Sequence, residues 1–261
     1  MMKMNQSMKT SMSLAAFAGL ALAGSANAVV IYSDDFAGTA ATNGDNLHGT
    51  TPDTTTGGNT WVATSEYKAD GTYTGIDTGP MTLAFTPVDS REYTLDMSVT
   101  VPAGGVWTTF GFSNGQPLST PNDVSWLRAW HLIRQNTALG GKHHTSLSGY
   151  AGLTPYLATG GIDVQPSPLD LRIVLDTTGG TGNWTAAMYA KAAASPTYIE
   201  VRAATTLTAV DITSVGYFGR TTSGSITSFS LSDNTVIPEP STTALLGLGG
   251  LAPTFTPRRP T

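Results

Sequence analysis

Residues 93–101 read Tyr-Thr-Leu-Asp-Met-Ser-Val-Thr-Val, and apolar and polar side chains alternate along the whole stretch. Successive side chains of a β-strand point to opposite faces, so one face of this segment is apolar and the other is polar. Residues 169–176, Leu-Asp-Leu-Arg-Ile-Val-Leu-Asp, closely repeat the pattern. A period of two with one apolar face predicts half-buried antiparallel strands.

A glycine-rich connection, residues 177–183, leads from the second segment into Trp184–Tyr189, which predicts a hairpin. The other predicted strands are short and rich in Val, Ile, Thr and aromatic residues, and no segment has a long helical period. They are Val29–Tyr32, Thr60–Thr64, Met81–Thr86, Val106–Phe112, Val124–Ile133, Tyr198–Ala203, Ile212–Phe218 and Ile226–Leu231. Ten or more short strands in about 200 residues predict an all-β fold of two packed antiparallel sheets, a jelly-roll sandwich.

The first 28 residues have the three parts of a cleavable secretory signal peptide. Lys3 and Lys9 give a basic start, residues 14–23 contain only Leu, Ala, Phe and Gly, and residues 26–28, Ala-Asn-Ala, suit a signal peptidase. The apolar run is too short to cross a hydrocarbon layer of about 30 Å. We therefore expect export from the cytoplasm and a mature chain that starts at Val29.

The C-terminal segment 238–261 has the features of a second targeting signal. It combines Pro238-Glu239-Pro240, an apolar stretch from Ala244 to Ala252 and the basic pair Arg258-Arg259. This arrangement resembles the PEP-CTERM sorting signal of Gram-negative bacteria. The resemblance implies transient anchoring in the inner membrane, processing by an exosortase, and delivery to the cell surface or an exopolysaccharide matrix.

The apolar part of this sorting signal is short. A helix from Ser241 to Ala252 would extend only about 18 Å, which is less than a full membrane span. Pro253 and Pro257 then interrupt the run before the arginines. The sequence therefore leaves open whether the segment inserts, and the alternative is an unstructured tail rich in Pro and Thr.

The region between these ends, residues 29–237, predicts one large β domain rather than two small ones. Only 12% of the residues are charged, and removal of Lys3 and Lys9 with the signal leaves 11 basic and 18 acidic residues. This balance argues against nucleic acid or an anionic membrane as a partner. The chain contains no cysteine, which excludes disulfides, thiolate zinc sites and a cysteine nucleophile within it.

Several blocks of this region resemble the concanavalin A-like, laminin-G-like domains that PEP-CTERM proteins often carry. The blocks are IYSDDF at 31–36, GNTWVATSEYKADG at 58–71, TLAFTPVDSREYTLDMSVTV at 82–101, FGFSNG at 110–115, LDLRIVLDTTGGTGNWTAAMYA at 169–190 and GSITSFSLSD at 224–233. None of them is a catalytic signature. The resemblance therefore implies a sandwich fold in an extracellular setting and leaves the activity open.

A candidate ligand-binding face lies on the predicted strand over residues 125–134. Trp126, Arg128, Trp130 and Arg134 would share one side of this strand, together with Leu132. Pyranose C–H surfaces stack on aromatic rings while arginine donates to hydroxyl groups, so such a row suits a polysaccharide. The alternative is that the tryptophans belong to the core and that a loop covers Arg128.

One cluster of acidic residues could hold a metal ion. Asp34 and Asp35 follow the first predicted strand and Asp233 follows the last, and hard oxygen ligands of this kind suit a structural Ca²⁺. Turn-capping aspartates are the alternative. His143 and His144 follow a glycine pair in what we expect to be an exposed loop, and adjacent histidines rarely bind one ion together.

A glycosidase on this fold would need two carboxylates at a fixed separation across the scissile bond. The expected mature domain has only Glu66, Glu92 and Glu200 before the sorting segment. Glu92 and Asp96 share a strand face but lie about 13 Å apart along it, which is too far for such a pair. We expect a non-catalytic surface or matrix protein that binds polysaccharide, with a divergent glycan-active enzyme or a purely structural matrix component as the alternatives.

Overall fold

A computed structural model describes residues 28–37, 45–74, 79–100, 107–115, 125–133, 143–147, 154–155, 168–220 and 223–234. These residues all belong to one compact unit that runs from Asn27 to Val236. The predicted signal peptide, apart from Ala28, and the predicted sorting segment 238–261 lie outside the described residues. Within the described ranges, no helix has the length and apolar character needed to cross a membrane.

The regular structure of these ranges consists of β-strands. They are β1 (Val29–Asp34), β2 (Thr54–Thr55), β3 (Val62–Ala63), β4 (Thr72–Thr74), β5 (Pro80–Ala84), β6 (Glu92–Thr100), β7 (Trp107–Ser113), β8 (Leu127–Ile133), β9 (His143–Ser146), β10 (Thr154–Pro155), β11 (Leu169–Asp176), β12 (Thr185–Ala192), β13 (Ile199–Thr206), β14 (Ser214–Arg220) and β15 (Ser223–Asp233).

The strands pair into two antiparallel sheets. The eight-stranded sheet has the order β13-β12-β11-β6-β15-β1-β2, and β4 also pairs with β15. The seven-stranded sheet has the order β10-β9-β8-β7-β14-β5-β3. The prediction of an all-β sandwich of two antiparallel sheets is confirmed, and so is the hairpin of β11 and β12.

The alternating segments of the sequence occupy the middle of the eight-stranded sheet. Along β6, Tyr93, Leu95, Met97 and Val99 are buried, while the polar residues between them are partly exposed. β11 repeats this pattern beside it. Each fully buried large apolar side chain stabilises the fold by about 1.5–3 kcal/mol, so these two strands anchor the core between the sheets.

The outer faces of the two sheets differ in character. Glu92, Asp96 and Ser98 of β6 represent the polar outer face of the eight-stranded sheet. On the seven-stranded sheet, by contrast, every described side chain of β8 is buried, on the outer face as well as the inner one. The partner sheet packs only on the inner face, so it does not account for the burial of the outer one.

The structure also contains strands that the sequence does not predict. β2, β4 and β10 have only two or three residues, too few for an alternating pattern to emerge. The expectation of an exposed loop at His143 and His144 is wrong, because both residues lie in β9, between β8 and β10. The glycine pair that precedes them is typical of a turn or loop, and for this reason the sequence did not predict the strand.

Candidate functional site

Strand β8 carries the row that the sequence predicts as a sugar-binding face. The alternation holds from Ala129 to Ile133, because Ala129 and Ile133 pack between the sheets while Trp130 and Leu132 belong to a separate cluster. It fails at Leu127, which lies in the cluster of the tryptophans. The expected exposure is wrong. Trp126 is 7% exposed and Trp130 is 0% exposed, so neither ring is presented to solvent.

Two glycines make room for these rings on the outer face. Gly111 of β7 lies between Trp130 and Gly216 in the cross-strand register, so this part of the sheet lacks competing side chains. A Cβ atom at Gly111 would lie 2.7 Å from the Cβ of Trp130, closer than side chains can approach. Trp126 meets the ring of Phe218 edge-on, with ring centroids 5.7 Å apart. The tryptophans are therefore packed as a second apolar cluster.

Arg128 is occupied by contacts within the chain. Its Nη2 donates to Oδ2 of Asp211 at 2.8 Å and its Nε donates to Oδ1 of the same carboxylate. Its Nη1 donates to the main-chain oxygens of Ser125 and Leu127. The hydrogen bonds from Arg128 hold the pKa of Asp211 well below its usual range. Arg128 is thus a structural cation rather than the free donor that the sequence suggested, and Arg134 lies outside the described residues.

The acidic cluster forms with a different third member from the predicted one. β1 and β15 do lie side by side, but they are antiparallel and Asp233 is the register partner of Val29. Asp34 follows Val29 by five residues, so Asp34 and Asp233 are about 17 Å apart along the strands. Asp233 instead pairs with Arg91 at 3.3 Å. The predicted grouping of Asp233 with Asp34 is therefore wrong.

Asp53 takes that place, because its carboxylate lies within 4.8 Å of those of Asp34 and Asp35. Asp34 accepts hydrogen bonds from Nε1 of Trp61 at 2.7 Å and from the main-chain nitrogen of Phe36 at 2.8 Å. Burial raises the pKa of Asp34, against the effect of these hydrogen bonds. The three carboxylates do lie together, but much of their hydrogen-bonding capacity is already used by hydrogen bonds within the chain.

A mixed aromatic and charged patch lies on the outer face of the eight-stranded sheet. Arg172 of β11 and Tyr189 of β12 are register partners, so their side chains share this face. Tyr198, the residue before β13, has its ring centroid 4.4 Å from the guanidinium carbon of Arg172 and 5.1 Å from Nζ of Lys191. All four side chains are half-buried. We call Arg172, Tyr189, Lys191 and Tyr198 the tyrosine–arginine patch.

Ion pairs hold the two cations of this patch in place. Arg172 donates from Nε and Nη2 to the two carboxylate oxygens of Asp96, at 2.7 and 2.9 Å. Nζ of Lys191 lies 3.3 Å from Oδ2 of Asp170 and donates to the main-chain oxygen of Ser195 at 3.1 Å. Ser195 belongs to the turn that leads to Tyr198, so the lysine ties this turn to the sheet.

The electrostatics of the patch keep Tyr198 and Arg172 each in one protonation state. Burial raises the pKa of Tyr198 to about 12, and the carboxylate of Asp96 adds to the effect. The hydrogen bonds to Asp96 raise the pKa of Arg172 above its ordinary value. The tyrosine therefore stays a neutral hydroxyl and the arginine stays charged across the physiological range, and the patch presents a fixed set of donors and acceptors.

The sequence alone predicts part of this patch. Arg172 occupies a polar position of an alternating strand, so its outward direction follows from the period of two. The position of Tyr198 does not follow, because this residue was expected to begin a strand and instead folds back over β11 and β12. A charged residue on each of two adjacent strands, followed by a turn and a tyrosine, is the signal that could have pointed to it.

No protein-family model and no curated protein sequence matches the chain. Among solved structures, the CBM2 module of the evolved Dit of Lactobacillus casei BL23 phage J-1 is 9% identical and has a TM-score of 0.43, over 80% of this chain and 97% of that one. Lectin II from Ulex europaeus is 12% identical with a TM-score of 0.41, over 69% and 89% of the two chains.

An engineered GH43 glycoside hydrolase is 13% identical with a TM-score of 0.38, over 75% of this chain and 41% of that one. At these identities, and with TM-scores below 0.5, none of the three similarities establishes a family or a function. The sandwich rests on the strand pairing described above. Membership of the concanavalin A-like and PEP-CTERM families stays a prediction of the sequence.

Proposed function

We propose that this protein is an exported, non-catalytic β-sandwich protein of the cell surface or extracellular matrix, and that it binds polysaccharide through the tyrosine–arginine patch. The observation that carries the proposal is the placement of the Tyr198 ring over Arg172 and Lys191. The ring is fixed on the polar outer face of a sheet, where a long polymer chain can reach it.

The patch combines the two kinds of contact that sugars make. Arg172 and Lys191 both belong to the sheet and lie 4.4 and 5.1 Å from the ring centroid of Tyr198, which is half-buried. An aromatic face of this kind packs against the C–H surface of a pyranose. No described residue accepts a hydrogen bond from Nη1 of Arg172, so this group is available to donate to a sugar hydroxyl.

The patch is also organised before any ligand binds. Arg172 is held by two hydrogen bonds to Asp96, and the turn before Tyr198 is held by Lys191. Side chains that are already ordered lose little conformational entropy on binding, about 0.5–1.5 kcal/mol less for each long side chain than mobile ones would lose. A surface built this way favours binding by a polymer that makes many weak contacts.

The carboxylates of this face favour binding over glycoside hydrolysis. Asp96 is engaged by Arg172, and Asp170 is engaged by Lys191 and by the hydroxyl of Ser98 at 2.7 Å. Glu92 and Asp176 are register partners and bring two carboxylates together at the end of β6 and β11. Asp176, however, accepts hydrogen bonds from the main-chain nitrogen and hydroxyl of Thr178, at 2.8 and 2.6 Å, as a turn-capping residue does.

Export and sorting complete the proposal and rest on the two ends of the sequence. A signal peptide at residues 1–28 and a Pro-Glu-Pro triplet at residues 238–240 support delivery to the surface or matrix by way of signal peptidase and an exosortase. Calcium is not part of the proposal. A structural Ca²⁺ at the acidic cluster stays a prediction, because the contacts of Asp34 with Trp61 and Phe36 explain much of that cluster without an ion.

A glycan array with the mature chain tests the proposed function. We expect binding to one class of polysaccharide, and loss of that binding in a Tyr198→Ala variant that remains folded. A reducing-sugar assay on the same polysaccharides tests the non-catalytic part of the proposal, and release of reducing ends by the wild type but not by Glu92→Gln would contradict it. Absence of all glycan binding would favour a purely structural matrix role.

A further inference from the structure

Arg202 of β13 bridges the two sheets at one side of the sandwich. β13 lies at the edge of the eight-stranded sheet, and Nη1 of Arg202 donates to the main-chain oxygen and to Oγ1 of Thr145, at 3.1 and 3.2 Å. Thr145 belongs to β9 of the seven-stranded sheet and is buried. The guanidinium of Arg202 therefore lies between the sheets, and not on the outer face with the tyrosine–arginine patch.

A β-bulge turns the side chain of Arg202 toward the inside. Met188 of β12 pairs with Arg202, and the next residue of β12 pairs with Glu200, so Val201 is the extra residue on β13. A bulge changes the direction of the side chains beside it. In a regular strand Arg202 would share the outward direction of Glu200. It instead points to the side of Val201, which belongs to the core.

One edge of the Arg202 guanidinium has no acceptor within the described part of the chain. Nε is buried, and no described residue accepts its hydrogen bond. Nη2, the other nitrogen on this edge, also has no acceptor among the described residues. Burial lowers the pKa of Arg202 below its ordinary value. Removal of a cation from water is costly unless an anion pairs with it, so this edge lacks the partner that its charge favours.

Two other arginines of the chain show what this edge holds when a partner is present. Arg172 donates from Nε and Nη2 to the two carboxylate oxygens of Asp96. Arg128 holds the carboxylate of Asp211 with the same two nitrogens. The planar fork of parallel donors fits a carboxylate in this bidentate way. The unused edge of Arg202 therefore matches a carboxylate.

We infer that Arg202 binds a carboxylate from outside the chain through its Nε–Nη2 edge. The residue is only half-buried, so a small group can reach it from the side of the sandwich. Packed sheets lie about 10 Å apart, and such a gap admits a small anionic group rather than the surface of a protein. Because Nε is enclosed, the carboxylate meets Nη2 first, and a small shift of the side chain lets it engage Nε.

Two sources of carboxylate share the chemistry that this fork recognises. One is a free organic acid, and the other is a uronate unit of a polysaccharide. The site goes beyond the proposed function, because Arg202 is not part of the tyrosine–arginine patch. The formal net charge of the chain is -5, so the overall field of the protein repels anions and does not by itself favour their binding.

The NMR signal of the Nε–H group of Arg202 tests the inference directly in the mature protein. Sodium acetate supplies a free carboxylate, and sodium chloride at the same ionic strength controls for salt. We expect acetate to shift the Arg202 signal until it saturates, whereas chloride should not shift it. The Nε–H group of Arg172 already donates to Asp96, so its signal should stay unchanged in both titrations.

Two further ligands identify the source of the carboxylate. A trimer of galacturonic acid carries carboxylates on sugar rings, and its methyl ester has the same linkage and length without the charge. If a polysaccharide supplies the carboxylate, the trimer should shift the Arg202 signal at about tenfold lower concentration than acetate, because the sugar adds contacts. The ester should not shift it. Equal potency of the trimer and acetate would assign the site to a free organic acid.

Substitutions of Arg202 test the site through stability. A ligand that binds only the folded state stabilises it, so acetate should raise the urea midpoint of the wild type above that in chloride. Arg202→Gln should lose this difference. Arg91→Gln removes an arginine that is already paired with Asp233, and it should retain the difference. Arg202→Lys keeps a cation without the fork, so it should bind acetate about tenfold more weakly even if Arg202→Gln does not fold.

The outcomes separate this site from the proposed function. An Arg202 signal that responds to neither acetate nor the trimer overturns the inference, and so does equal stabilisation of the wild type and Arg202→Gln by acetate. Either result would leave Arg202 as a structural link to Thr145. Tyr198→Ala should keep the response of the Arg202 signal to acetate. Failure of the wild type to bind any polysaccharide would overturn the proposed function and leave a carboxylate site at Arg202 intact.

Discussion

The Nε2 atom of His131 lies 3.0 Å from the main-chain oxygen of Arg172 and links the two sheets across the core. A carbonyl oxygen can only accept a hydrogen bond, so Nε2 carries the proton of the neutral ring. The side chain of the same arginine lies on the opposite side of its sheet, under Tyr198. Arg172 is therefore held from the core side by a histidine and supports the tyrosine–arginine patch on the outer side.

Acid should destabilise the fold through His131, because protonation places a positive charge on a completely buried ring. Complete burial lowers the pKa of His131 from its ordinary 6.5 to about 4, against the hydrogen bond to Arg172. A histidine whose pKa is depressed in the folded state contributes its full stability above pH 6.5 and loses it as the pH falls toward 4. The expected loss is about 3 kcal/mol by pH 4.

Chemical denaturation at a series of pH values measures this contribution. A His131→Phe variant keeps an aromatic ring against Phe110, which stacks on His131 with ring centroids 6.2 Å apart. Its stability should vary less between pH 6.5 and pH 4 than that of the wild type, by about 3 kcal/mol. Parallel pH profiles for the two proteins would show that His131 is not the titrating group.

Replacement of Trp130 by alanine should cost stability rather than only ligand binding. The ring is completely buried over Gly111, so its removal leaves a cavity and should destabilise the fold by about 3–5 kcal/mol. For a domain of this size the melting temperature should then fall by roughly 10 °C. Val62→Ala is the matched control, because Val62 is 42% exposed on the outer face of the same sheet.

Trp130→Phe refines this prediction. The Nε1 donor of Trp130 is buried, and no described residue accepts its hydrogen bond. Phenylalanine retains most of the ring and removes the unpaired donor, so it should cost much less than alanine. A Trp130→Ala melting temperature close to that of the wild type would contradict the burial of the ring and restore the sugar-binding role that the sequence suggested for β8.

Arg128 and Arg91 offer a comparison between an ion pair whose arginine is buried and one whose arginine is partly exposed. The Arg128 side chain is 9% exposed and makes two hydrogen bonds to Asp211, whereas Arg91 is 37% exposed and makes one contact to Asp233. We expect Arg128→Ala to cost about 2–3 kcal/mol and Arg91→Ala to cost less than about 1 kcal/mol. Urea unfolding of the two variants checks this order, and equal losses would contradict it.

The sorting prediction concerns the C-terminal segment. Glu239→Ala should block C-terminal processing, because the resemblance places exosortase recognition at residues 238–240. Intact mass of the protein from cells with and without the exosortase measures the cleavage. If the wild-type mass is the same in both strains, the segment is not an exosortase substrate.

The sequence predicts more of the fold than of the candidate site. The alternation in residues 93–101 is a local property of the chain, and it specifies both the strand and its buried face. The burial of Trp130 is not a local property of the chain. The alternation places the ring on an outer face, but its burial depends on what packs above Gly111. Alternation identifies two faces and does not say which outer face meets solvent.

The members of the acidic cluster also could not all be predicted from the sequence, because they depend on contacts between residues far apart in the chain. The adjacency of the first and last strands was predicted correctly, but their antiparallel direction places Asp34 and Asp233 at opposite ends of the pair. The loop that holds Asp53 is eighteen residues from Asp35 and reaches it through a hydrogen bond at 3.0 Å. No spacing rule connects those two positions, so the third member of the cluster could only come from the structure.

The binding affinity of a Tyr198→Ala variant for polysaccharide is the measurement that tests the central claim most directly. Isothermal titration of the mature wild type, Tyr198→Ala and Arg91→Ala should be made with a polysaccharide that the wild type binds on the array. The account predicts that Tyr198→Ala binds about tenfold more weakly with a nearly unchanged melting temperature, because a half-buried ring is removed from a surface. The side chain of Arg91 is as exposed as that of Arg172, at 37%, but it lies outside the patch. Arg91→Ala should therefore bind as the wild type does. Unchanged affinity in Tyr198→Ala would contradict the account, because the ring would then take no part in the binding surface.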